Sequence, residues 1–111
     1  MSISPHDLLH HIIDEINFLI AESGILDKNS FLADEKAKRA FARSFEIIGE
    51  AAKKIPDDFK QSHPDIEWSA MARLRDKLIH HYFGVDYELV WNIVVEDIPS
   101  LRNKISNLLE E

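Results

Sequence analysis

Apolar positions along this chain recur every three or four residues, the period of an amphipathic helix. In "SPHDLLHHIIDEINFLIAES" (4–23), Leu8, Leu9, Ile12, Ile13, Ile16, Leu19 and Ile20 form one such face. Ser4 stands where an N-cap is wanted, Pro5 at the first helical position and Asp7 in the first turn. This predicts a first helix that ends near Gly24. "ILDKNSFL" (25–32) reads as a connection with one short turn. Asp34 can cap a long second helix, "EKAKRAFARSFEIIGEAAKKI", which Pro56 stops. Gly49, in its small-residue centre, costs about 1 kcal/mol against alanine in a helix interior. Such a glycine lets another backbone approach, or kinks the helix. "PDDFKQSHP" (56–64) reads as one short acidic helical turn. "EWSAMARLRDKLIHHYF" (67–83) is a third main helix, with Gly84 as its stop. Asp86 then caps "YELVWNIVVEDIPSLRNKISNLLEE", which Pro99 should kink or break.

No alternating strand pattern, internal repeat or low-complexity segment interrupts this rhythm. The expected fold is all-α: an up-and-down bundle of four main helices plus a short helical turn, in one domain over residues 1–111. Three glycines and four prolines leave little material for turns, which agrees with long helices. With 45% hydrophobic and 30% charged residues, the composition is that of a soluble globular protein. No apolar run is long enough to span a bilayer, and the start lacks a secretory pattern. The chain has no cysteine, which excludes disulfides, zinc–cysteine sites and thiol catalysis. A cytoplasmic protein is the expectation.

The net charge of −7 argues against nonspecific nucleic-acid binding, but its distribution matters more. Residues 36–56 hold six lysines and arginines against Glu46 and Glu50, and residues 68–85 hold Arg73, Arg75 and Lys77 against Asp76. The rest of the chain is acidic. An anionic ligand belongs at these two segments.

The second of them contains "RDKLIHHYF" (75–83), with an arginine, adjacent histidines and a tyrosine. On an ideal helix Trp68, Met71, Arg75, Leu78 and Tyr82 share one stripe, with Leu74 beside it. Arg73, Lys77 and His80 share another, with Asp76 nearby. Arg75 and His80 then lie about 140° apart. They converge only if the last turn is distorted or a second subunit contributes. Spacing alone favours an ordinary helix end, with basic residues near its C-terminus and a wet tyrosine at the edge of the core.

The pattern R-x-x-x-x-H-x-Y, here Arg75, His80 and Tyr82, resembles the signature of the HepT-like toxins, a branch of the HEPN superfamily. "RAFARSFEIIGEAAKKIP" (39–56), "HPDIEW" (63–68), "LRDKLIHHYFGVDYELVW" (74–91) and "DIPSL" (97–101) resemble family segments in the same order. Two positions depart from the pattern: Asp76 stands where many members have asparagine, and His81 where many have glycine. The resemblance implies a metal-independent endoribonuclease without cofactor. His80 would be the acid/base and Arg75 the phosphate clamp, and the product would carry a 2′,3′-cyclic phosphate. One chain supplies one motif histidine, and two-fold symmetry would supply a second around a shared cleft. A homodimer is therefore expected, with higher assembly open. Arg73, Lys77 and Asp76, with the basic second helix, are weaker candidates to line an RNA groove, and that helix reads equally as a solvated face. The resemblance further implies a toxin paired with a small nucleotidyltransferase antitoxin, which adds AMP to Tyr82. The competing class is a non-catalytic helical module that binds such a nucleotidyltransferase or recruits its substrate.

Other constellations carry less. His6, His10 and Asp14 are spaced four apart but have no supporting ligands, so no metal site is expected. Glu46 and Glu50 lack the accompanying E-x-x-H of a di-iron bundle. No glycine-rich phosphate loop and no serine–histidine–acid set is present.

Overall fold

A Ser4 side chain that accepts a hydrogen bond from the Asp7 amide (3.1 Å) starts the first helix, as its sequence demands. The computed structural model describes residues 3–79 and 84–110. Its elements are α1 (Pro5–Ile25), α2 (Lys28–Ala33), α3 (Glu35–Lys54), α4 (Asp57–Ser62), α5 (Trp68–Ala72), α6 (Leu74–Ile79), α7 (Tyr87–Glu96) and α8 (Ile98–Leu109). Among the described residues there is no strand. Asp34 caps α3 through the Ala37 amide at 3.0 Å, and Asp86 caps α7 through the Leu89 amide at 3.1 Å.

The helices group into four rods: α1, α3, α5 with α6, and α7 with α8. α3 is flanked by α1 on one side and by α5 and α6 on the other, while α1 also packs on α7 and α8. This is the expected four-rod bundle. Its shared core is built from Leu9, Ile12, Ile16 and Leu19 of α1, Phe41, Phe45 and Ile48 of α3, Val90 and Val94 of α7 and Ile105 of α8. Two polar contacts fix the neighbours of α1. The buried Ser44 hydroxyl donates to Glu15 (2.8 Å), and Arg102 Nε donates to Asn17 (2.9 Å).

Three expectations need correction. The stretch 25–32 holds more than the one short turn expected there: Lys28–Ala33 form α2, a helix of six residues. Asp27 caps it through the Ser30 amide at 2.7 Å. Phe31 is its reason for docking: the ring is fully buried and lies 4.6 Å from the Phe41 ring and 5.2 Å from the Trp91 ring, centroid to centroid. Secondly, the helix expected over 67–83 is divided at Arg73, whose backbone (φ −86°, ψ 0°) relaxes the helical turn. Thirdly, the break near Pro99 falls two residues earlier, at Asp97. Pro99 then sits in the first turn of α8, where its missing N–H costs nothing.

Candidate active site

Gly49 determines where α6 can sit. It is buried in the middle of α3, and a Cβ built there would lie 3.2 Å from both the Cβ and the amide nitrogen of Arg75. The Ala72 carbonyl oxygen would be 3.3 Å away. The junction of α5 and α6 thus rests directly on the α3 backbone, and the division at Arg73 coincides with this closest approach. Of the two uses open to the glycine, close approach is the one realised.

Leu74 and Leu78 are buried and hold α6 down. Arg75 therefore leaves the helix at the seam with α3, where its guanidinium reaches solvent. Nη1 lies 3.7 Å from Glu50 Oε1, and the two side chains are 46% and 52% exposed. A pair of this kind contributes about 0–1 kcal/mol to stability. The arginine is positioned and charged, yet open to an anion arriving from solvent. Glu50 is the member of this cluster that sequence reasoning missed. In the sequence it stands four residues from Glu46, and nothing in the linear spacing links it to Arg75.

Arg73 and Lys77 point elsewhere. Lys77 is two residues from Arg75, about 200° around the helix. Both line a cavity of about 350 Å³ between the α5–α6 and α7–α8 rods. Met71, Leu74, Ile93 and Leu101 line it as well, and Glu67, Glu96, Asp97 and Lys104 complete its charged lining. Three bases thus face three acids, and Lys104 lies 3.8 Å from Glu67. This lining has no cationic surplus, and it does not join the basic positions of α3. Asp76 is half-buried. His80, Tyr82 and the extra His81 lie outside the described residues. Gly84, which follows them, has φ +126°, a backbone conformation suited to glycine.

The basic residues of α3 are partly engaged. Lys38 bonds Glu35 at 2.8 Å and sits 5.1 Å over the Tyr87 ring, and Arg43 bonds Glu46 at 3.2 Å. Arg39, Lys53 and Lys54 are exposed. The carboxyls of Asp27 and Glu35 are held below their ordinary values. In Asp27 the first cause is the Ser30 amide, and in Glu35 it is the hydrogen bond to Lys38. Both lie on the α2 side of α3, away from Arg75. The His6 and His10 rings meet edge to face at 4.8 Å. Among the described residues no group of three or more histidines, aspartates or glutamates is placed to hold a metal ion. Nor is any described helix long and apolar enough to cross a membrane.

The family model for "Ribonuclease HepT-like" matches residues 9–108. A protein of Thermococcus cleftensis named "Probable ribonuclease HepT" is 48% identical over 97% of this chain and 98% of its own length. A protein of Caldanaerobacter subterraneus subsp. tengcongensis, named "Putative RNase", is 40% identical over 97% of this chain and 96% of its own. A third, of Methanocaldococcus jannaschii and with the same type of name, is 42% identical over 96% of this chain and 84% of its own. No solved structure matches. With a family match and full-length relatives that both run through the helix carrying Arg75, the chain belongs to the ribonuclease HepT-like family of the HEPN superfamily.

Proposed function

We propose that this protein is an endoribonuclease that cleaves RNA by attack of its own 2′-hydroxyl on the neighbouring phosphate. The observation that carries the reading is Arg75: the motif arginine is seated on Gly49 by its backbone while its guanidinium stays half exposed. A planar guanidinium binds a phosphate in a forked contact and stabilises the charge that builds on the equatorial oxygens. His80 supplies a proton to the leaving 5′-oxygen, since an imidazole titrates near neutral pH. The products are a 2′,3′-cyclic phosphate and a 5′-hydroxyl. RNA phosphates beyond the cut meet the exposed Arg39, Lys53 and Lys54 on α3. Arg73 and Lys77, turned toward a charge-balanced cavity, contribute less.

The working unit in this reading is a homodimer in which two-fold symmetry completes the site. The protein acts as the toxin of a toxin–antitoxin pair, and the antitoxin is a nucleotidyltransferase that transfers AMP to Tyr82. The added phosphate charge and bulk would repel and block RNA.

Purified protein is expected to cleave RNA in EDTA. Arg75→Ala and His80→Ala should each abolish cleavage while leaving the circular-dichroism spectrum unchanged, and full activity in both variants would overturn the assignment. After coexpression with a nucleotidyltransferase, the intact mass should rise by whole AMP units and Tyr82→Phe should prevent the gain. A second reading draws on the cavity beside α5 and α6, whose apolar and charge-balanced lining suits a protein better than RNA. In that reading the chain is a docking module for the nucleotidyltransferase. It predicts no cleavage under any condition and loss of the complex on mutating Arg75 or Tyr82.

A further inference from the structure

Attack by a 2′-hydroxyl needs two proton transfers at opposite ends of the phosphate. One group takes the hydroxyl proton and another protonates the leaving 5′-oxygen, because the attacking and leaving oxygens lie in line across phosphorus. Arg75 and His80 provide a clamp and an acid. We infer that Glu50 is the base. The inference rests on the ribonuclease reading and adds a residue to its site.

Three observations support it. Glu50 follows Gly49, so the contact that seats Arg75 also brings this carboxylate to the guanidinium, with Oε1 3.7 Å from Nη1. That distance is too long for a hydrogen bond, so the carboxylate lone pairs remain available to a hydroxyl. Both side chains are about half exposed, so the pair does little to hold α3 against α6. A carboxylate beside a phosphate-binding arginine opposes anion binding, a cost that makes sense if it takes part in the reaction. Among the described residues, the charged groups around Glu50 are Arg75 of α6 and, one turn away on α3, Glu46, Lys53 and Lys54. Glu46 is already paired with Arg43.

In the step, the 2′-hydroxyl proton passes to the Glu50 carboxylate as the 2′-oxygen bonds to phosphorus. The bond from phosphorus to the 5′-oxygen breaks, and that oxygen takes a proton from the His80 imidazolium. Exchange with water returns Glu50 to carboxylate and His80 to imidazolium.

The test measures kcat and KM on a short RNA as a function of pH for the full chain and for Glu50→Gln, Glu50→Asp, Arg75→Ala and His80→Ala. Glu50→Gln should lower kcat by about 10²–10⁴-fold, the range for a lost general base, with KM little changed. It should also remove the fall of kcat/KM toward low pH that a carboxylate base imposes, and Glu50→Asp should recover part of kcat. An unchanged kcat in Glu50→Gln overturns the inference, as does a lower KM with kcat intact, which would make Glu50 only a counter-ion that phosphate displaces. If Arg75→Ala and His80→Ala are inactive while Glu50→Gln is active, the ribonuclease reading stands and Glu50 alone is removed from it. If those two variants retain full activity, both fall.

Discussion

Gly24 and Gly49 are both helical glycines, and opposite outcomes are expected from the same substitution. Gly24 lies in the last turns of α1 with nothing within 4 Å of a built Cβ. Gly24→Ala should therefore stabilise the protein by about 0.5–1 kcal/mol, the backbone entropy that glycine loses on entering a helix. At Gly49 the atoms met at 3.2–3.3 Å include the Arg75 nitrogen and the Ala72 oxygen, backbone atoms that move only if α5 and α6 move. Overpacking of this kind costs about 1–3 kcal/mol, against which alanine regains roughly 1 kcal/mol of helix propensity. Gly49→Ala should therefore shift the denaturant midpoint only modestly. Its effect on RNA cleavage should be far larger, because the shift it forces is a displacement of Arg75. Equal losses in stability and in kcat/KM would contradict that account. Arg75→Lys separates charge from shape: a lysine keeps the cation but loses the fork. It should recover only a small part of the activity lost in Arg75→Ala, with stability altered by less than about 1 kcal/mol.

At the level of elements, α2 shows where pattern reading stops. Six residues give less than two turns, too few for a periodicity to stand out. What makes the segment helical is tertiary: a cap from Asp27, and Phe31 buried between α3 and α7. Lys28 adds a contact to Glu88 at 2.8 Å, so α2 holds the start of α7, the helix that follows the motif segment. Phe31→Ala should cost about 3–5 kcal/mol in denaturant unfolding. The Asp27 cap also carries a pH signature. Its carboxyl is held below the ordinary value of 3.8, so its contribution is present above that value and lost as pH falls through the lower, folded-state value. The protection factor of the Ser30 amide, its exchange rate relative to the unstructured chain at the same pH, should fall on acidification in the wild type and much less in Asp27→Asn, which keeps a neutral cap. The long helices were legible for the opposite reason. Their caps at Ser4, Asp34 and Asp86 and the stop at Pro56 are local signals, needing no knowledge of neighbours. The division at Arg73 is not local, since it lies where α3 and the α5–α6 rod meet, and no residue between 67 and 79 announces it. The candidate site follows the same rule. Arg75 stood out because its motif lies on one segment, whereas Glu50 joins it only across helices.

For the whole molecule, the proposed homodimer poses the question of which chain's His80 would serve which Arg75. An undistorted helix separates the two residues by about 140°, and a two-fold axis offers a way to reunite them: the arginine of one protomer with the histidine of its partner. This arrangement has a consequence that no single variant reveals. Arg75→Ala and His80→Ala are each expected to be inactive alone. In a mixed dimer, one composite site inherits both lesions and the other inherits neither. If subunits exchange freely, half the dimers are mixed and each regains one of its two sites. Activity should then return to about a quarter of the wild-type value per protein, from the symmetry alone. A site completed within one chain gives no such return, because every protomer in the mixture still lacks one of its two groups. The measurement is RNA cleavage after equimolar mixing through partial unfolding and refolding, with light scattering to establish the dimer. A dimer that exchanges subunits and yet stays inactive would assign both residues to the same chain, which requires the end of the helix to bend before Gly84.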